Sequence, residues 1–151
     1  MVNISSKIIN RQLYSSRMPE FKIVVNHKEN AYKVDVKDHH ANTLIGKRIG
    51  DEVDGIFVSL PGYKLQITGG SDHDGFVMRK DVDGRTRRKI LLSKSLGFKP
   101  KKKGMRKRQT VCGNTISEKI SQIDMKVIKS GAKPIEKLLK ATQEKNGKET
   151  A

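Results

Sequence analysis

Residues 21–37 read FKIVVNHKENAYKVDVK. The second half, AYKVDVK at 31–37, alternates strictly and puts Tyr32, Val34 and Val36 on one face. That is the period of a half-buried strand, because successive side chains of an extended chain point to opposite sides. Phe21-Lys22-Ile23-Val24-Val25 is rich in β-branched residues and reads as another strand. The polar stretch Asn26-His27-Lys28-Glu29-Asn30 between them predicts a hairpin loop.

Outward from this hairpin the chain reads as all-β as far as residue 93. Ile56-Phe57-Val58-Ser59-Leu60 and Tyr63-Lys64-Leu65-Gln66-Ile67-Thr68 predict two strands joined by a Pro61-Gly62 turn. Ile90-Leu91-Leu92 predicts a short apolar strand, and Ile120, Ile123, Met125 and Val127 outline one more. Glycines punctuate the chain at 46, 50, 55, 62, 69, 70, 75 and 84, and turn signals at such close intervals suggest a small barrel or sandwich. Residues 44–53, LIGKRIGDEV, fit either a short strand with a turn or one helical turn. Near the end, Pro134 suits a first helical position, and Ile135, Leu138 and Leu139 form an i, i+3, i+4 stripe. The fold expected is mainly β: a small β-barrel with a basic extended arm and one C-terminal α-helix.

The expected organisation is an N-terminal extension at 1–17, a barrel body at 18–98, a basic arm at 99–109, returning strands at 110–130, and a helix with a polar tail at 131–151. Met18-Pro19-Glu20 directly precedes the first strand and reads as the natural start, with residues 1–17 an upstream extension.

Charge is distributed very unevenly. Of 151 residues, 32 are Lys or Arg and 16 are Asp or Glu, a net charge of +16. Residues 85–108, RTRRKILLSKSLGFKPKKKGMRKR, hold twelve of the basic residues and no acid. Self-repulsion on that scale calls for a polyanionic partner. A solvated face is the common fate of a charge run, but twelve like charges without counter-ions are costly for a mere face. A nuclear-localisation signal would account for KKKGMRKR but not for the basic residues from Arg85 onward. Ile90-Leu91-Leu92 and Leu96-Gly97-Phe98 interrupt the run, so the chain is expected to anchor on the fold, swing out at Lys99 and return at Thr110. Each phosphate such an arm neutralises releases condensed counterions. Arginines fork onto phosphate oxygens and lysines act as point charges. Only Phe76 and Phe98 lie near the run, which favours backbone and shape recognition of folded RNA over stacking on single strands.

Other chemistries find no motif. No stretch approaches the ~18 apolar residues of a membrane span, and no apolar secretory core follows the N-terminus. The single cysteine, Cys112, excludes an internal disulfide framework and fits a reducing cytoplasm. GGSDHDG at 69–75 has metal-loop residue types, but an EF-hand needs a third acidic or amide ligand before the glycine, so a tight glycine-rich β connection is expected. His39-His40 sit in DHHAN, read as a loop, without a cysteine to complete a zinc site. Neither GxSxG nor HExxH occurs. No catalytic residue, metal or cofactor is expected.

Three stretches carry a family resemblance: LIGKRIGDEVDG at 44–55, GYKLQITGGSDHDGFVMRKDVDG at 62–84, and GFKPKKKGMRKRQTVCGNTIS at 97–117. Together they resemble the S6e family of small-subunit ribosomal proteins, over roughly Phe21 to Leu139. The short C-terminus is similar to the archaeal form, without the long phosphorylated tail of eukaryotic members. The chain departs from the family pattern at three points. Val77 stands where a proline usually follows the Gly-Phe pair, Met105 replaces a Glu, and Cys112 replaces an Arg.

The resemblance implies a β-barrel bound to ribosomal RNA in the small subunit, in the cytoplasm, with neighbouring ribosomal proteins as partners. It implies no enzyme activity, no membrane and no small-molecule substrate. The residues expected at the RNA are Arg79, Lys80, Arg85, Arg87, Arg88, Lys89, Lys99, Lys101, Lys102, Lys103, Arg106, Lys107 and Arg108, with backbone contacts around Asn114. An RNA-binding module acting outside the ribosome is the alternative, and an enzyme acting on RNA the more distant one.

Overall fold

The computed structural model describes residues 19–139. The reading of Met18 as the start and of 1–17 as an extension lies outside these residues, as does the polar tail.

The opening hairpin forms as its pattern predicts. Strand β1 (Glu20–His27) pairs antiparallel with β2 (Asn30–Lys37). The register sets Phe21 opposite Val36, Ile23 opposite Val34 and Val25 opposite Tyr32, so one face of the hairpin is apolar. Phe21, Ile23, Val25, Val34 and Val36 are all buried. The remaining strands are β3 (Glu52–Asp54), β4 (Lys64–Asp72), β5 (Arg87–Leu92), β6 (Lys107–Cys112) and β7 (Ile120–Lys129). Residues 135–139 are helical.

The expected barrel does not close. Five strands form an open mixed sheet in the order β2-β1-β7-β4-β3, in which β1 and β7 are parallel and the other pairs antiparallel. Strands β5 and β6 pair with each other as a separate two-stranded ribbon. The physical reason lies in their side chains. A barrel wall needs an apolar inner face along every strand. In RRKILL of β5 only Leu92 is buried, and the first two residues of β6, Lys107 and Arg108, are exposed. The ribbon therefore stays outside the wall and docks by its base, where the Cys112 N–H donates to the Val77 carbonyl (2.9 Å) and the Arg79 N–H to the Cys112 carbonyl (3.1 Å). A small cluster of its own, Val82, Leu92 and Val111 with Val77, Ile90 and Phe98 against it, seats the ribbon.

Three local expectations change. DHHAN belongs to a helix, α1 (Asp38–Leu44), because Ala41 and Leu44, three apart, both turn into the core. Ile56–Leu60 is not a strand; Gly55–Val58 form a 3₁₀ turn. A Cβ at Gly55 would lie 2.2 Å from the Leu60 carbonyl oxygen, so only glycine lets the chain close this tightly. A short apolar run has the same composition in either conformation. Third, β4 runs on through Gly69, Gly70 and Ser71 to Asp72, with register shifts along its pairing with β7, and the turn falls at His73-Asp74. The open question at 44–53 resolves into turns followed by β3; the Arg48–Thr115 bridge and the Ile49 N–H to Asn114 carbonyl bond (3.0 Å) tie this segment to residues 114–115.

One main core holds the sheet together. Leu65 and Ile67 of β4 and Ile120, Ile123 and Met125 of β7 join the hairpin residues, and Ala41, Leu44, Val58, Leu60 and Ile135 belong to the same cluster. The C-terminal helix starts with the Pro134 carbonyl accepting from the Lys137 and Leu138 N–H groups. Ile135 is buried, with Leu138 and Leu139 packed against the core. Two tyrosines tie this end down: Tyr63 Oη donates to the Lys133 carbonyl (2.7 Å) and Tyr32 Oη to Glu136 (3.2 Å).

Candidate nucleic-acid interface

The acid-free run becomes the ribbon and the loop that closes it. Within the ribbon, Lys89 stands opposite Thr110 and Leu91 opposite Arg108. Alternation puts these four on one face, where Lys89, Arg108 and Leu91 are exposed. The closing loop, 93–106, is built from turns: Ser95 and Phe98 exchange backbone bonds (3.0 and 3.2 Å), and the Met105 N–H reaches the Lys102 carbonyl (3.2 Å). Lys94, Lys99, Lys101, Lys102 and Lys103, with Pro100, surround a hollow of about 450 Å³. The swing out at Lys99 is thus a hairpin loop, while Lys107 and Arg108 are strand residues paired with Leu92 and Leu91.

The predicted residues divide into two groups. Lys80, Arg85, Arg88, Lys89, Lys99, Lys101, Lys102, Lys103, Arg106, Lys107 and Arg108 are exposed. Among the described residues none of them pairs with a carboxylate. Arg79, Arg87 and Asn114 instead have their side chains engaged within the protein.

Arg79 forks onto Asp81 (2.9 and 2.8 Å) and also donates from Nη1 to Ser95 Oγ (3.0 Å) and the Leu96 carbonyl (2.8 Å). It staples the 79–81 segment to the closing loop. Its hydrogen bonds hold the Asp81 carboxyl below its ordinary range and raise the arginine's own pKa.

Arg87, at the base of β5, donates to Asp72 Oδ2 from Nε (2.7 Å) and Nη2 (2.6 Å), reaches Asp74 (2.5 Å), and lies over the Phe76 ring with Cζ 4.8 Å from its centroid. Hydrogen bonds to Asp72 and then Asp74 raise its pKa. Asp72 is buried at the end of β4, and its other oxygen accepts the His73 N–H (2.6 Å). Cys112 donates weakly to the same Asp72 Oδ2 (3.6 Å). Burial first, then the Asp72 charge, pushes the thiol up to about 11.

Asn114 is buried. Its amide donates to Asp83 Oδ1 (2.8 Å) and weakly to the Lys80 carbonyl (3.4 Å), and its oxygen accepts from Thr115 Oγ1 (3.0 Å). It latches the 80–83 turn to the 113–116 segment. Close approach reinforces the latch: a Cβ at Gly113 would lie 2.0 Å from the Gly84 carbonyl oxygen.

Sequence reading passed over three participants. Asp72 looked like part of a turn, and its partner Arg87 sits 15 residues away. Lys94 lay inside the basic run without being singled out. Lys119 follows the run and meets it only through the fold, beside Arg85 in a shared hollow. Among the described residues no group of three or more His, Cys, Asp or Glu side chains could hold a metal. No helix there is long and apolar enough to cross a membrane.

Comparison with known proteins agrees with the motifs. The family described as ribosomal protein S6e matches residues 21–140. A small ribosomal subunit protein eS6 of Methanothermobacter thermautotrophicus is 48% identical over 124 residues, covering 82% of this chain and 98% of the relative. The protein of that name from Archaeoglobus fulgidus is 48% identical over 128 residues, 83% of this chain and 99% of its own. That from Methanocaldococcus jannaschii is 46% identical over 124 residues, 81% and 92%. With the match spanning the sheet, the ribbon and the closing loop alike, the chain belongs to the ribosomal protein S6e family, a family of ribosomal proteins and not of enzymes.

Proposed function

We propose that this chain is a structural component of the small ribosomal subunit in the cytoplasm, where it binds folded ribosomal RNA beside other ribosomal proteins. The ribbon and its closing loop lie along the RNA, and the open sheet is the platform that holds them. Lys80, Arg85, Arg88, Lys89, Lys99, Lys101, Lys102, Lys103, Arg106, Lys107 and Arg108 contact phosphates. Arg79 and Arg87 act mainly by positioning the loop and the ribbon base, and Asn114 by holding the turn that leads into β5. The mechanism is neutralisation of packed phosphates with release of their counterions. Backbone contacts of this kind fix position on an RNA surface without reading its sequence.

One observation carries the reading: the exposed cations of the ribbon and loop have no carboxylate partner among the described residues. Charges so placed gain little from the protein itself and much from a polyanion. The name shared by the archaeal relatives supplies the particular polyanion.

Fractionation of the native organism tests it. The protein should appear in stoichiometric amount in small subunits washed at high salt. A chain that leaves the subunit entirely at modest salt has no structural role there.

A further inference from the structure

The lysine-ringed hollow of the closing loop belongs to the reading above. A second cationic hollow lies at the other end of the ribbon. Two adjoining concavities of about 250 and 280 Å³ share Arg85, Thr86, Ser117 and Lys119 as walls. Water takes ~30 Å³ per molecule in the liquid, so either space has room for a phosphate group with part of its hydration shell.

The walls are held rigidly. The Thr115 N–H donates to the Gly84 carbonyl (3.2 Å), the Gly46 N–H to the Ile116 carbonyl (3.0 Å), and the Ile116 N–H to the Lys47 carbonyl (2.9 Å). These bonds tie Gly84, Thr115 and Ile116, which directly precede the lining residues, to one frame. Arg85 lies across Gly46, where an added Cβ would come within 3.3 Å of Nη2.

The chemistry of the walls is that of an anion seat. Neither Arg85 nor Lys119 pairs with a carboxylate, and neither the Thr86 nor the Ser117 hydroxyl has a hydrogen-bond partner among the described residues. Asp72 also lines the inner concavity, but Arg87 and the His73 N–H engage its oxygens. Glu118, exposed on the rim, is the one opposing charge without such a partner. Residues bearing a guanidinium fork, an ammonium and two hydroxyls line one space, a donor set suited to phosphate oxygens.

We propose that this hollow at the ribbon base, formed by Arg85, Thr86, Ser117 and Lys119, seats one phosphate of an RNA backbone, a contact separate from the closing loop. The identification of the phosphate as part of an RNA rests on the function proposed above. Between the two ends runs the ribbon from Arg87 to Leu92. At ~3.4 Å per residue it spans about 17 Å. Seats held that far apart by a hydrogen-bonded ribbon select an RNA whose folded shape presents phosphates at both.

The test uses the full chain and two ligands. Inorganic phosphate is titrated at constant ionic strength while amide NMR shifts are followed. Saturable shifts should cluster at residues 85–87 and 115–119 and vanish in the R85Q/K119Q double variant. Shifts absent there, or reproduced equally by chloride, overturn the seat. In the second arm, binding of a structured RNA hairpin is measured from low to moderate salt. R85Q/K119Q should bind about three- to tenfold more weakly, with a log–log salt slope shallower by about 0.9, the share of one phosphate. Unchanged affinity and slope overturn the assignment to RNA. Should the double variant fail to fold, T86A/S117A carries the same comparison without altering charge: it should lose the phosphate shifts, and keeping them in full overturns the donor set. A wild-type chain that binds no RNA overturns the function proposed above, and the phosphate titration then still decides the seat.

Discussion

Arg87 shows how far a residue's role depends on what lies beside it. In sequence it is one cation among twelve; in the fold it is held by a buried carboxylate and covers an aromatic ring. Removing the buried Asp72 carboxylate takes away the shared acceptor of Arg87, the His73 N–H and the Cys112 thiol, so Asp72→Ala lowers the urea midpoint. Asp81→Ala removes an exposed carboxylate and leaves Arg79 bonded to Ser95 and the Leu96 carbonyl, so it costs at most about 1 kcal/mol. The prediction is the order, Asp72→Ala well below Asp81→Ala, and equal midpoints would contradict it. Cys112 carries a pH dependence. Its folded pKa, about 11, lies above the ordinary thiol value of 9.0. Between these values the unfolded chain has lost its thiol proton while the folded chain keeps it. Stability from this group is therefore whole below about pH 9 and is lost as pH rises through about 11. After allowance for solvent screening the loss is on the order of 1–2 kcal/mol. Comparison with Cys112→Val, whose stability should fall less steeply over that window, isolates the share of the thiol. The pairings of Asp72 with Arg87 and Cys112 were not legible beforehand, because they join residues 15 and 40 apart in sequence.

At the scale of elements, periodicity served where it was long and one-sided. The alternation at 31–37, the strand at 21–25 and the alternation from Ile123 to Val127 all appear as strands. It failed at Ile56–Leu60 and at DHHAN, where a short segment owes its conformation to one close approach or to two inward-facing apolar residues. Gly113→Ala tests such a close approach directly. With the Gly84 carbonyl only 2.0 Å from the new methyl, the latch must shift, at a cost of about 1–3 kcal/mol in a denaturant titration. The closing loop should behave in the opposite way. Replacing residues 99–106 by a short glycine-containing turn removes five exposed cations and no strand pairing. Its stability should stay within about 0.5 kcal/mol of the wild type, while the salt slope of RNA binding falls by up to about 4. A collapse of the sheet would show that the loop belongs to the core. Extending the deletion to Lys107 and Arg108 is another experiment, since it removes their pairing with Leu92 and Leu91.

For the molecule as a whole, a nearly neutral body carries a ribbon and loop with the excess charge. Residues 1–84 have 12 basic and 11 acidic side chains, against twelve and none at 85–108. Self-repulsion within the ribbon should ease as salt shortens the Debye length from about 30 Å at 0.01 M to about 10 Å at 0.1 M. The thermal midpoint should rise over that range, and rise further with a binding RNA, by about 2.7 kcal/mol of stability at a hundredfold excess over Kd. A midpoint that falls with salt would show that attractive pairs outweigh repulsion. Sequence by itself determined the β class, the concentration of positive charge at 85–108 and the family, because each rests on periodicity, composition or ordered motifs that need no knowledge of distant contacts. Only the tertiary structure decided that the sheet stays open, that the charged strands stand apart as a ribbon, and that Arg79 and Arg87 are tied down while Arg85 and Lys119 face a common hollow. Those outcomes depend on which strands can bury a face and which carboxylates the fold brings within reach of a given cation, and no local pattern records either.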